Sequence, residues 1–191
     1  MSKAVINLFA VERTGTRNLG PGLRYAIWLQ GCPFNCFNCI TPQARPVVAA
    51  KIAEVESLAK DIVSNSRIDG LTISGGEPFL QAEALVSLLS MVREYRPELT
   101  VLIFTGFNLE NLDSPMVRKV LEMTDVLIDG KYIDSLNDGI GLRGSSNQRI
   151  HFLSDRLTAY EEEMNKGKRS IEVSFHNKVI DIIGIPLKQK I

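Results

Sequence analysis

The sequence predicts an α/β domain in which parallel strands alternate with helices. Short apolar runs at Leu71 to Ser74, Val101 to Phe104 and Val126 to Ile128 read as buried strands. Between them lie segments whose apolar residues recur at i, i+3, i+4 and i+7, the spacing of one helix face. With 191 residues and no linker or low-complexity tract, the chain is expected to form one domain spanning 1–191.

Taken in order, Tyr25 to Leu29 is the first expected strand and runs straight into a cysteine-rich loop. A helix follows with Val55, Leu58, Ala59, Ile62 and Val63 on one face. The strand Leu71 to Ser74 ends in Gly75-Gly76-Glu77-Pro78, and Pro78 is suited to opening the next helix, which carries Leu85, Leu88, Leu89 and Val92. The strand Val101 to Phe104 comes next, then a helix with Met116, Val117, Val120 and Leu121, then the strand Val126 to Ile128. Beyond residue 150, Ile171, Val173 and Phe175 alternate with polar residues as in a half-buried strand, and Val179 to Ile183 reads as another. The basic cluster Lys166 to Arg169 is expected to cap a turn.

Composition excludes more than it identifies. Lys plus Arg and Asp plus Glu both number 22, so no charge excess points to nucleic acid or a membrane surface. The amino terminus lacks the apolar stretch of a secretory signal, and no run approaches the roughly 18 apolar residues of a membrane span. A cytoplasmic location is expected, and clustered cysteines there more often hold metal or do redox work than form disulfides.

Cys32, Cys36 and Cys39 are the only cysteines, packed into Gly31-Cys32-Pro33-Phe34-Asn35-Cys36-Phe37-Asn38-Cys39. Three thiols cannot all pair within one molecule. Three thiolates on a 4Fe–4S cubane leave one iron open for chemistry. The competing readings are a zinc site completed by His151 or His176 and a set of buried or redox cysteines. Pro33 would stiffen the loop, and Asn35 and Asn38 tolerate turn conformations.

Gly75 and Gly76 remove side chains where the backbone must approach a ligand closely or take positive φ. Their carbonyls, with the Glu77 carboxylate, could accept hydrogen bonds from a ligand ammonium. Every candidate segment follows a strand: the cysteines, Gly75-Gly76, Thr105-Gly106 and Asp129-Gly130-Lys131. That carboxyl edge is where parallel α/β sheets and barrels bind ligands, so four loops should share one mouth.

The cysteine triplet followed by Gly75-Gly76-Glu77-Pro78 resembles the radical S-adenosylmethionine (SAM) superfamily. Gly20-Pro21-Gly22-Leu23-Arg24 is similar to a segment of its glycyl-radical-enzyme activases. Residues 125–133 and the string Arg143 to Arg149 resemble the activators of anaerobic, class III ribonucleotide reductases. One departure is Asn38, where many superfamily members carry an aromatic residue; here Phe37 lies one position earlier.

The resemblance implies a radical SAM core with core motifs in 20–150 and C-terminal strands of undefined role in 151–191. It implies that Cys32, Cys36 and Cys39 ligate three irons of a 4Fe–4S cluster and that SAM chelates the fourth. Reductive cleavage would give a 5′-deoxyadenosyl radical that takes a hydrogen atom from a glycine of a partner enzyme. Gly75, Gly76 and Glu77 would hold the methionyl ammonium, with Thr105 and Gly106 near the ribose or methionine. Lys131 would meet the SAM carboxylate, and Asp129 would help hold a monovalent cation. The implied partners are a glycyl-radical enzyme and an electron donor such as flavodoxin or ferredoxin. A direct modifier of a peptide or small molecule is the alternative.

A full eight-unit barrel takes about 250 residues. The expected architecture is therefore a partial, open TIM-type barrel of about five or six βα units, whose side opening suits a protein substrate.

Overall fold

The computed structural model describes residues 3–176 and 179–186. Strands β1 (Val5–Thr16), β2 (Arg24–Leu29) and β3 (Lys51–Glu54) lead to helix α1 (Val55–Ser64). Then follow β4 (Gly70–Gly75), α2 (Ala82–Tyr95), β5 (Thr100–Phe104), α3 (Pro115–Glu122), β6 (Val126–Asp129) and β7 (Arg149–Phe152). The chain continues through α4 (Glu161–Lys166) to β8 (Ile171–His176) and β9 (Val179–Gly184).

Seven strands form one sheet in the order β3-β1-β2-β4-β5-β6-β7. The central four, β2, β4, β5 and β6, are parallel. β1 and β3 add antiparallel pairs at one edge, and β7 adds one at the other. The two edge strands do not pair with each other, so the α/β sheet stays open, as a partial barrel must. Where the sequence suggests about five or six βα units, α1, α2 and α3 provide three. The sheet gains its remaining width from antiparallel strands, which need no helical crossover.

The inner strands are near-continuous apolar runs because both faces are covered. Val101, Leu102 and Ile103 are all fully buried. Val101 and Ile103 pack in the large core with Leu85, Leu88 and Leu89 of α2 and Leu58 and Ile62 of α1. Leu102, Val126 and Ile128 face the other way, into a smaller core with Leu157 and Met164. α3 starts with Pro115 at its first turn, and the Ser114 side chain accepts a hydrogen bond from the Val117 N–H.

β1 precedes the strand expected to be first. Its alternation, with Ile6 and Leu8 buried, is blurred by an irregularity in the register to β2 between Leu8 and Ala10. Among the described residues beyond 170, the two strands do not complete the main sheet. β8 and β9 pair only with each other, and Ile171 and Val173 are exposed rather than half-buried.

The Gly20–Arg24 string serves the base of the sheet. Arg24 is fully buried at the amino ends of the parallel strands. Its guanidinium donates to Thr72 Oγ1 (2.6 Å), Leu71 O (2.7 Å), Thr100 Oγ1 (2.9 Å), Pro21 O (3.0 Å) and Thr100 O (3.0 Å). A Cβ on Gly70 would lie 2.5 Å from Arg24 Nη1, so the glycine makes room for this clasp.

Candidate active site

The cysteine loop is held at its base by backbone bonds. Gly31 N–H donates to Ala44 O (2.8 Å) and Cys32 N–H to Arg45 O (2.9 Å). Gln30 Nε2 reaches Pro46 O (2.6 Å). Inside the loop Asn38 takes φ 51°, the left-handed region that asparagine tolerates. Phe34 packs edge-on against Phe107, with ring centroids 4.9 Å apart, and so seats the loop on the segment after β5.

Cys32, Cys36 and Cys39 are free, half-buried, and line one cavity of about 780 Å³. Gly75, Gly76, Thr105, Gly106 and Gly130 line it too, so four loops at the carboxyl edge do share one mouth. Burial pushes the Cys32 thiol up, and nearby Glu77, Cys36 and Cys39 add to it against a backbone N–H at Phe34. Cys36 is also pushed up by burial and by Cys39, while Lys131, the Tyr132 backbone and Arg45 pull it back. The thiols thus feel one another's charge across a shared wall.

Among the described residues, no three His, Cys, Asp or Glu side chains converge as a single-ion site would require. A cubane needs its thiolates at separate corners, and three thiols around a shared cavity fit that donor set. The zinc alternative fares worse. His151 lies outside the cavity lining with its Nε2 3.1 Å from Asp129, and the His176 side chain lies outside the described residues.

The glycine loop is stitched to the cysteine loop. Gly76 N–H donates to Leu29 O and Glu77 N–H to Gly31 O, both at 2.7 Å. Gly75 takes φ 108°, and a Cβ there would sit 2.3 Å from Leu29 N. At Gly76 a Cβ would sit 2.1 Å from Gly31 O and 2.9 Å from Ala44 O. The close approach that demands glycine here is to the protein's own backbone, while the loop's open side faces the cavity.

Glu77 departs from its expected role. It is fully buried, lies outside the cavity lining, and its carboxylate is already engaged. It accepts from Gly106 N–H (2.8 Å), Thr105 Oγ1 (2.9 Å) and Phe79 N–H (3.0 Å). Burial raises its pKa to about 7 against the pull of those three donors. Glu77 therefore positions the loops rather than meeting a ligand ammonium. Gly106 is pinned from two sides, since a Cβ there would lie 2.5 Å from the Phe34 ring.

Asp129 is also redirected. Its fully buried carboxylate accepts from Leu109 N–H (2.7 Å) and Arg149 Nε (3.0 Å), with His151 beside it. Burial raises its pKa, but Arg149, the Leu109 N–H and His151 more than offset this and leave it lowered. With those partners and no place in the cavity wall, it is not arranged to hold a cation. Lys131 is exposed and also outside the lining; its charge acts on Cys36.

Sequence reasoning gave no site role to several wall residues, including Tyr132 and Gln148, which lie in the strings singled out above, and Asn137, which does not. Gln148 organises the string resembling the reductase activators: it donates to Gly130 O (2.7 Å) and accepts from the N–H groups of Gly144 (2.8 Å) and Ser145 (3.1 Å). Arg149 forks between Glu110 and Asp129. Arg169, in the basic cluster, has a side chain only 3% exposed and ties the 137–143 loop to Pro186.

A cysteine triplet, an adjoining Gly-Gly-Glu loop and a shared cavity at the carboxyl edge of an open α/β sheet define an iron–sulfur enzyme that binds a second cofactor beside its cluster. The chain belongs to the 4Fe–4S single cluster domain family, whose model matches residues 18–151, and within it to the glycyl-radical-enzyme activases of the radical SAM superfamily. It is 35% identical over 147 residues to the anaerobic ribonucleoside-triphosphate reductase-activating protein of Enterobacteria phage T4, covering 74% of this chain and 92% of that protein. The protein of the same name from Haemophilus influenzae is 33% identical over 139 residues, 69% of this chain and 89% of its own. The pyruvate formate-lyase-activating enzyme of Clostridium pasteurianum is 31% identical over 121 residues, 60% of this chain and 48% of its own. Among the described residues, no helix is long and apolar enough to cross a membrane.

Proposed function

We propose that this chain activates an anaerobic ribonucleotide reductase by generating a glycyl radical on it. The observation that carries the proposal is the convergence of three free thiols, the Gly75-Gly76 loop and the Thr105-Gly106 loop on one cavity. The similarity to two reductase-activating proteins over most of their lengths supports this choice of partner.

Cys32, Cys36 and Cys39 would hold the 4Fe–4S cluster, with the positive charge of Lys131 favouring the Cys36 thiolate. The cavity-facing backbone of Gly75 and Gly76 would receive the methionine end of SAM, with Thr105 and Gly106 beside it. Together these cofactors would supply, when bound, one-electron cleavage of the sulfonium to a 5′-deoxyadenosyl radical. The chain's own tasks are to hold both in fixed relation and to keep water away from the reacting atoms. Glu77 serves the first by tying the loops after β4 and β5. Flavodoxin or ferredoxin would supply the electron in the cytoplasm.

The test is to mix dithionite-reduced, cluster-loaded protein and SAM with the reductase encoded in the same genome. A glycyl radical doublet in the electron paramagnetic resonance spectrum is expected, with cleavage of the reductase backbone on exposure to oxygen. SAM turnover with no radical on the reductase would overturn the proposal and favour direct modification of a peptide or small molecule.

A further inference from the structure

The hairpin of β8 and β9 lies beyond the matched family span of residues 18–151 and pairs with no strand of the main sheet. A two-stranded ribbon is marginal in water unless it packs on something. This one is anchored along one side. Glu172 accepts from the Arg17 N–H (3.1 Å), Ser170 bonds Asn18, and Arg169 reaches Pro186 O (3.4 Å). The hairpin and the residues after it contribute Glu172, Asp181, Ile182, Ile183, Gly184, Ile185 and Pro186 to the cavity wall.

The other face is apolar and open. Val173 pairs with Ile182 and Ile171 with Gly184, so Ile171, Val173, Ile180 and Ile182 share it by strand alternation. They are 45%, 63%, 62% and 60% exposed. Glu172 and Asp181, at alternate positions, fall on the opposite face. Four such side chains give a contiguous apolar patch on the order of a few hundred Å², the size that marks interaction sites on monomers.

We infer that this face is where the glycyl-radical enzyme docks. The inference rests on the function proposed above. A backbone glycine of a large protein can reach the cavity only if that protein lies across the rim. β9 is part of the rim: Ile182 is exposed to solvent and also lines the cavity, and Ile180, two positions along the same face, is exposed outside the lining. The patch is well short of the roughly 800 Å² per partner of a standard interface. It would form the apolar centre of a larger contact continuing around the cavity mouth.

The test is a Val173→Asp/Ile180→Asp double variant, compared with the parent for binding to the reductase of the same genome and for radical yield. Neither residue lines the cavity, so iron content and SAM cleavage without partner should equal those of the parent. Reductase affinity should fall at least tenfold, with radical yield recovering at high reductase concentration. A Val173→Thr/Ile180→Thr variant, which keeps β-branched shape, guards against misfolding and should show a smaller loss in the same direction. Parent-like affinity in the Asp variant would overturn the docking assignment alone. A parent dimer that the Asp variant abolishes would assign the face to a second copy instead. Absence of any radical with the parent would instead overturn the function on which the inference stands.

Discussion

The carboxylate of Glu77 accepts a 2.8 Å hydrogen bond from the backbone N–H of Gly106. This joins the loops that follow the neighbouring strands β4 and β5. A second bond from Thr105 Oγ1 to the same carboxylate makes the joint rigid. Both loops line the cavity although Glu77 itself does not, so its influence on the cofactor is exerted through backbone position.

Glu77→Gln keeps the shape but turns an N–H₂ group toward at least one of three donors. Leaving a buried donor unmet costs about 1–3 kcal/mol. The KM for SAM in uncoupled cleavage should rise roughly tenfold, since about 1.4 kcal/mol corresponds to that factor. Iron content should be unchanged, because the Glu77 backbone rather than its side chain holds the cysteine loop. An unchanged KM, measured by formation of 5′-deoxyadenosine, would contradict the clamp.

Glu77 also sets a pH dependence. Its folded pKa of about 7 lies above the ordinary 4.5, so between those values the folded state binds the proton more strongly than the unfolded chain. The stabilisation from this group is full below about 4.5 and is lost as pH rises through 7. Denaturant titrations of parent and Glu77→Gln in the same cluster state should diverge across this window. The parent should lose about 3 kcal/mol relative to the variant between its ends. A difference that stays flat with pH would contradict the burial argument.

Gly76→Val is predicted to lose the cluster as well as SAM cleavage. A side chain at 76 would strike Gly31 O and Ala44 O, the carbonyls that hold the base of the cysteine loop. Iron content after anaerobic reconstitution should fall well below that of the parent. Full iron with lost SAM binding would mean that the glycine serves the ligand alone.

Arg24→Met tests the clasp beneath the sheet. Burial lowers the Arg24 pKa to about 10, so its charge is held at a penalty, yet it donates five hydrogen bonds. Hydrogen bonds from a charged donor contribute about 1.5–3 kcal/mol each, which outweighs that penalty. The variant should be destabilised by roughly 3 kcal/mol, a melting temperature drop of about 6–12 °C in a domain of this size. SAM cleavage per folded, cluster-loaded molecule should persist. An unchanged melting temperature would remove the structural role assigned to the Gly20–Arg24 string.

Much of this was legible in the residues. The apolar periods of Leu85 to Val92 and Val101 to Phe104 marked their elements because core contacts impose those periods. The cysteines and double glycine were visible because their chemistry is tied to residue type. The antiparallel edge strands were harder to see. β3 is four residues with little burial, and β1 has a broken register. Side-chain direction was beyond reach: nothing in the string Asp129-Gly130-Lys131 says that Arg149, twenty positions on, takes the aspartate for itself. Likewise, Gly75 and Gly76 announce a close approach without saying that Leu29 and Gly31 are what they approach.

Metal analysis after anaerobic reconstitution with iron and sulfide tests the central claim most directly. Three thiols around one cavity, in a chain matched to the 4Fe–4S single cluster domain, predict about four irons and four sulfides per chain with an oxygen-sensitive brown chromophore. Cys36→Ala should abolish both the chromophore and SAM cleavage. Stoichiometric zinc in anaerobically purified protein, with no iron uptake on reconstitution, would contradict the account.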